Sequence, residues 1–289
     1  MGFCFGVRDA IRLAESAAAA GPVTILGALV HNDEILKRLN RLGAVSSSNE
    51  TGRGPGAVMI TAHGVSDRVR AAVVKTGRQV LDATCPLVRD AHEKLRQLVA
   101  AGCFPVVIGR RGHVEVNGLT GDFDEHAIVL DEVDLVGVPE RSKYGVVAQT
   151  TQPIARVERL VAALRQARPQ SEVHFVDTVC GPTKRRQEAA VEMAQSVDVV
   201  LVIGGGRSNN THELAQSCRQ FCARVHQIEG PLDLNPCWFE DVESVGLTAG
   251  TSTPEYQVDA VEAALRRMNP GESDAQSSPC GSESSPTRH

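Results

Sequence analysis

Aromatic side chains make up only 3% of the chain, with one Trp and two Tyr among 289 residues. That is too few to build a surface on which nucleic-acid bases stack. A net charge of −5 removes the other requirement, a broad basic footprint. Long apolar runs are missing as well. The richest, such as Val197 to Ile203, fall far short of the roughly 20 residues that a membrane-spanning helix needs. No charged segment followed by an apolar run opens the chain, so no secretory signal is read there. A cytoplasmic protein that binds neither nucleic acid nor membrane is expected. The sequence also lacks a Cys-x-x-Cys pair, a P-loop and a Gly-x-Gly-x-x-Gly fingerprint.

Cysteine, by contrast, is present eight times. In a reducing compartment that number points to metal binding or thiol chemistry rather than to a disulfide framework. Three of the cysteines open stretches that resemble one another. These read Cys4-Phe5-Gly6-Val7-Arg8-Asp9-Ala10, Cys85-Pro86-Leu87-Val88-Arg89-Asp90-Ala91 and Cys180-Gly181-Pro182-Thr183-Lys184-Arg185-Arg186. Cys218 and Cys222 sit four apart on one helical face. They and the isolated Cys103, Cys237 and Cys280 read as small buried hydrophobes.

Strand and helix patterns alternate throughout, which predicts an α/β fold with small parallel sheets covered by helices. The repeat divides the chain into modules at 1–76, 77–170 and 171–268. A Ser/Pro/Gly-rich tail at 269–289 has nothing to bury and is expected to be disordered. Modules two and three each have an apolar strand directly before their cysteine; module one has only Met1-Gly2-Phe3. Its first strand therefore reads as missing, leaving an unfilled slot in the first sheet. Polar residues sit where strands end, the place at which such sheets bind ligands. His31, His113 and Ser208 follow the first internal strand of each module. His63, Thr150 and Ser252 follow the last. Repetition at this level implies one unit used three times, its cysteine ends meeting at one centre.

Three thiolates suit two metal classes, zinc with a fourth ligand such as His, or an iron–sulfur cluster. A cubane normally takes four cysteines, so three leave one iron open to substrate. The histidines can ligate metal when neutral, and bind an anion or deliver protons when charged. The turn Gly204-Gly205-Gly206-Arg207-Ser208-Asn209-Asn210-Thr211, lying between a strand and a helix, presents backbone N–H groups to a phosphate. Glu115, two residues beyond His113, is a candidate general acid.

Together these stretches resemble the 4-hydroxy-3-methylbut-2-enyl diphosphate reductase family (IspH/LytB) of the non-mevalonate isoprenoid pathway. The resemblance is carried by Gly2-Phe3-Cys4-Phe5-Gly6-Val7, Val30-His31-Asn32, Ala62-His63-Gly64-Val65, Asp82-Ala83-Thr84-Cys85-Pro86-Leu87-Val88, Gly112-His113-Val114-Glu115-Val116, Gln149-Thr150-Thr151 and Thr248-Ala249-Gly250-Thr251-Ser252. It extends to about Met268. It implies three α/β modules in a pseudo-threefold trefoil around a central [4Fe–4S] cluster, one per chain, on Cys4, Cys85 and Cys180. It further implies that His31, His63, His113, Ser208, Asn209, Asn210 and Ser252 bind a diphosphate, and that Thr150 sits near the substrate's hydroxymethyl end. Glu115 becomes the proton donor. A small allylic diphosphate and a ferredoxin- or flavodoxin-type electron donor are the implied partners, and a monomer is the expected state. Two alternatives remain at this point. One is an inactive binding relative without its first strand. The other is a zinc hydrolase on His113 and Glu115, although no Pro-Cys-x-x-Cys follows that pair.

Overall fold

The first helix buries the face that its apolar period marks. α1 (Phe5–Ala20) turns Ala10, Ile11, Ala14 and Ala18 inward and stops at Gly21. The computed structural model describes residues 2–30, 32–47 and 54–268. His31 and the tail at 269–289 lie outside the described residues. Onward from α1 the order is β1 (Val23–Leu26), α2 (Asp33–Arg41), β2 (Ala44–Ser47), β3 (Ala57–Ile60), α3 (Asp67–Val74) and β4 (Val80–Asp82). Next come α4 (Pro86–Ala100), β5 (Phe104–Ile108), α5 (Val114–Thr120), β6 (Ala127–Val129), β7 (Lys143–Ala148), α6 (Ile154–Ala167) and β8 (Glu172–Phe175). The last stretch holds α7 (Gly181–Ala194), β9 (Val199–Ile203), α8 (Asn209–Arg219), β10 (Arg224–Ile228), β11 (Val245–Ala249) and α9 (Glu255–Met268). α2 and α3 start as their sequences require, with Asn32 and Ser66 accepting first-turn N–H groups.

The strands form three parallel sheets of one topology, ordered β2-β1-β3-β4, β6-β5-β7-β8 and β10-β9-β11. β5 and β9 lie inside their sheets, and every one of their residues is buried, because helices cover both faces. Burial of each large aliphatic side chain there contributes about 1.5–3 kcal/mol. The strand that leads into a cysteine does not pair with the sheet that follows it. β4, ahead of Cys85, pairs with β3, and β8, ahead of Cys180, pairs with β7. Each therefore closes the preceding sheet. This corrects the expected position of the open slot. The first sheet has four strands, and the sheet with three among the described residues is the third, whose β11 is an edge. By the same rule a strand leading into Cys4 would belong beside β11.

α5 was not anticipated, since seven residues give too short a window for a helical period. Of the cysteines expected to be buried, Cys103, Cys218 and Cys222 are; Cys237 is exposed, and Cys280 lies outside the described residues. The short turn around Pro236–Phe239 that carries Cys237 contains no buried residue.

Candidate active site

Cys4, Cys85 and Cys180 occupy one structural position three times, the N-cap of α1, α4 and α7. Their backbones are held alike. The N–H of Cys4 donates to the Thr251 carbonyl at 3.1 Å, that of Cys85 to Ala62 at 3.0 Å, and that of Cys180 to Thr150 at 2.9 Å. Each thiol thus hangs from the loop after β11, β3 or β7 and starts the next helix. Burial raises all three thiols above their usual range, against the pull of N–H groups in the first turn of each helix. A further upward push comes from neighbouring negative groups. Cys180 acts on Cys4, Cys4 and Glu115 act on Cys85, and Glu115 and Cys85 act on Cys180. The thiols therefore share one neighbourhood.

The donor set fits a polynuclear centre. Three soft thiols face a common space, and room is kept for them: a Cβ on Gly6 would lie 2.8 Å from the Cys85 Sγ. The zinc alternative loses a ligand. His113 caps α5, its Nδ1 accepting the Glu115 N–H at 3.2 Å.

A small cavity beside the thiols brings together His63, His113, Glu115, Ser208, Asn209, Asn210 and Ser252, with Thr151 and Thr251 in its wall. His63 and His113 meet edge to face, ring centres 5.6 Å apart. His63 also lies 3.4 Å from the Thr61 hydroxyl through Nδ1. The turn after it needs Gly64, whose φ of 69° few other residues adopt. Ser208 caps α8, accepting the Thr211 N–H. Asn209 and Asn210 follow in the first turn. Both are buried, and both Nδ2 groups lack a hydrogen-bond partner. Buried amide donors left open are costly unless something accepts from them. The Asn209 Oδ1 is already engaged by Arg110 Nη1 at 3.5 Å, which turns the amide's donor side away from that arginine. This wall of the cavity asks for an anion. A more open cleft of about 390 Å³, lined by Arg110, Arg156 and Arg207, shares Ser208 and Asn209 with it.

Glu115 also lines this cavity. It is 2% exposed, and its Oε1 accepts the Thr150 N–H at 2.6 Å. Burial, partly offset by that bond, lifts its carboxyl from 4.5 to about 7. It can hold a proton near neutral pH and give it up.

The fold, three converging thiols and an anion-seeking wall around a poised acid are what the known relatives can be compared with. The sequence pattern described as "LytB protein" matches residues 1–266. The chain belongs to the LytB family. Among its LytB relatives is the 4-hydroxy-3-methylbut-2-enyl diphosphate reductase of Geobacter metallireducens, 36% identical over 270 residues, covering 93% of this chain and 95% of the relative. The reductase of the same name from Aquifex aeolicus is 35% identical over 277 residues, covering 94% and 95%. A solved (E)-4-hydroxy-3-methyl-but-2-enyl diphosphate reductase, described as the terminal enzyme of the non-mevalonate pathway, superposes with a TM-score of 0.64 at 34% identity over 92% of this chain and 96% of that one. The E-1-hydroxy-2-methyl-but-2-enyl-4-diphosphate reductase of Plasmodium falciparum superposes with a TM-score of 0.85 at 26% identity, covering 93% and 86%. The LytB match contains every candidate site residue, His31 included.

Sequence reasoning missed parts of this site. Thr151, not Thr150, is the register partner of His63 and Ser252, each being the residue after the carbonyl that holds a cysteine N–H. Thr150 stands one step back and holds Glu115. The signal was available in the spacing of strand end to cysteine, but only once β4 and β8 are assigned to the preceding sheets. Arg110 reads as a solvated arginine in sequence, and nothing there shows that it touches Asn209.

Proposed function

We propose that this protein reductively removes the hydroxyl of 4-hydroxy-3-methylbut-2-enyl diphosphate, giving isopentenyl and dimethylallyl diphosphate, the last step of the non-mevalonate pathway. The observation that carries the proposal is one cavity beside three thiols that is lined both by a buried acid near neutrality and by two buried, unpartnered amides. Cys4, Cys85 and Cys180 would hold one [4Fe–4S] cluster per chain, which supplies electrons singly and an iron free to polarise the hydroxyl oxygen.

The side chains do the rest. Asn209, Asn210, Ser208, Ser252, His63 and His113, with His31, bind the diphosphate, and their donors replace its lost hydration. Arg110, Arg156 and Arg207 line the neighbouring cleft; Arg156 and Arg207 are already paired with Glu213 and Asp33, which leaves Arg110, on the Asn209 amide, to draw the anion in. Thr150 and Thr151 lie on the hydroxymethyl side. Glu115 keeps Oε1 on the Thr150 N–H and gives its proton from Oε2 to the leaving hydroxyl. The hydroxyl departs as water; two electrons and two protons balance the conversion, the second proton going to the allylic carbon. The electrons come from a small donor protein of the ferredoxin or flavodoxin class. No helix among the described residues is long and apolar enough to cross a membrane.

Anaerobic reconstitution followed by metal analysis tests this reading. About four irons per chain with absorbance near 400 nm is expected. Zinc at one per chain and no such absorbance would sink it. Reduced viologen with the hydroxylated diphosphate then reads turnover, which an inactive binding relative would lack.

A further inference from the structure

The Cys4 and Cys85 helices both read Val-Arg-Asp-Ala at the third to sixth positions after the cysteine, where the Cys180 helix reads Thr-Lys-Arg-Arg. At the sixth position Cys4 is followed by Ala10 and Cys85 by Ala91, both buried in apolar clusters. Cys180 is followed by Arg186. The alanines have no reach. The arginine stretches from α7 to the edge of the third sheet, where its Nη1 donates to the Ala249 carbonyl and its Nη2 to the Gly2 carbonyl, both at 2.9 Å. Ala249 ends β11, and Gly2 lies two residues ahead of Cys4.

In the other two repeats a strand does this work. β4 pairs with β3 and delivers Cys85; β8 pairs with β7 and delivers Cys180. Among the described residues no strand pairs with the outer side of β11. The approach to Cys4 is fastened there by the Cys4 N–H bond to Thr251 and by this guanidinium. A guanidinium suits the task, since its planar fork can hold two carbonyls at once.

The charge of Arg186 is equally out of place. Burial pushes the guanidinium below its usual range, and the groups that favour its charged form are the thiols of Cys4 and Cys180. Besides burial, these two thiols are the influences that shift it. A cation removed from water without a carboxylate is costly unless another negative centre faces it. Thiolates bound to metal are such a centre.

We infer that Arg186 is a positioning residue for the metal centre: its fork fastens the Gly2–Cys4 segment to β11 and so aims the Cys4 thiol, and its charge offsets that of the thiolate-bound metal. The second half rests on the proposed iron–sulfur cluster; the first half does not. A fixed cation beside two ligands favours the reduced, more negative state and so raises the reduction potential.

Two variants, Arg186→Lys and Arg186→Gln, separate the halves. Lysine keeps the charge without the fork, and glutamine keeps neither. The first measurement uses metal-free protein, iodoacetamide at low concentration and peptide mass spectrometry to follow each cysteine. Loss of the clamp frees the segment ahead of Cys4, so alkylation of Cys4 quickens about tenfold in both variants while Cys85 keeps its rate and Cys180 does not quicken. An unchanged Cys4 rate overturns the clamp. So does an equal gain at all three cysteines, which would mean general loosening. The second measurement is a redox titration followed by electron paramagnetic resonance after anaerobic reconstitution. The glutamine variant shifts to a more negative potential, and the lysine variant stays near the parent. Equal potentials in all three proteins overturn the charge effect. If the parent takes up no iron, the cluster reading falls and the charge half with it, while the alkylation pattern still decides the clamp.

Discussion

A glutamic acid that is 2% exposed, titrates near 7 and acts on the thiols of Cys85 and Cys180 has a measurable consequence for folding as well as for chemistry. The folded protein holds the Glu115 proton more tightly than the unfolded chain, whose carboxyl titrates near 4.5. Stability from this group is complete below about pH 4.5 and is lost as pH rises through about 7, a change on the order of 3 kcal/mol. Glu115→Gln removes that slope. Denaturant midpoints at acid and mildly alkaline pH should converge in the variant and diverge in the parent. The same substitution leaves no proton to give, so turnover falls by about 10²–10⁴-fold, and the parent's rate declines above about pH 7. In the same cavity the open amides of Asn209 and Asn210 predict a binding loss. Asn209→Ala should weaken inorganic diphosphate about 10- to 100-fold, read by titration calorimetry. An unchanged affinity would remove the anion from this wall.

At the scale of elements, the site depends on how closely α1 and α4 approach. Gly6 sits in the first turn of α1, and a Cβ there would fall 2.8 Å from the Cys85 Sγ and 3.2 Å from its Cβ. Alanine is a better helix former, so Gly6→Ala should leave the helix intact. It should nevertheless cut iron uptake severely, because the Cys85 thiol must move. Iron per chain beside an unchanged circular dichroism spectrum checks this. The elements themselves were largely legible in sequence. Alternation of apolar strands with amphipathic helices marks β5 and β9, and the run Val199–Ile203 is buried at every residue as its composition implies. Leu201→Ala in that strand should cost about 2–5 kcal/mol in chemical denaturation. Sheet membership was not legible. Nothing in Val80–Asp82 or Glu172–Phe175 says which neighbour each strand pairs with, since a parallel pairing is decided by residues far away in the chain. Reading those strands into the following modules misplaced the open edge and shifted Thr150 into the position that Thr151 holds. The cysteines, histidines and Glu115 were legible because chemistry restricts residue type at such positions. Arg110 and Arg186 were not, because arginines on helices and loops are ordinary until their carbonyl and amide partners are known.

The whole molecule is a set of three sheets whose mutual ties are uneven. α6 and α8 are joined by the partly buried pair Arg156–Glu213 at 2.7 Å. The first segment meets the third through the Cys4–Thr251 and Arg186–Gly2 hydrogen bonds already described, through Arg207–Asp33, whose side chains are 75% and 63% exposed, and through the Asn32–Gln257 hydrogen bond at 3.2 Å. Exposed pairs of that kind contribute at most about 1 kcal/mol each. The three cysteines run across these joints, since each hangs from one sheet and begins the helix that follows. A metal centre on all three is therefore an added cross-link between these segments. Ligand bound only to the folded state adds its binding free energy to stability, so iron loading should raise Tm by about 5 °C or more and merge the melt into one transition. Calorimetry of metal-free and reconstituted protein under argon reads both effects. Cys85→Ala should abolish the difference while leaving the metal-free melt close to that of the parent, because this thiol is only partly buried and its backbone bond to Ala62 survives the change. A gain in Tm that persists in Cys85→Ala would mean that the metal sits elsewhere and that the three segments are not joined through their cysteines.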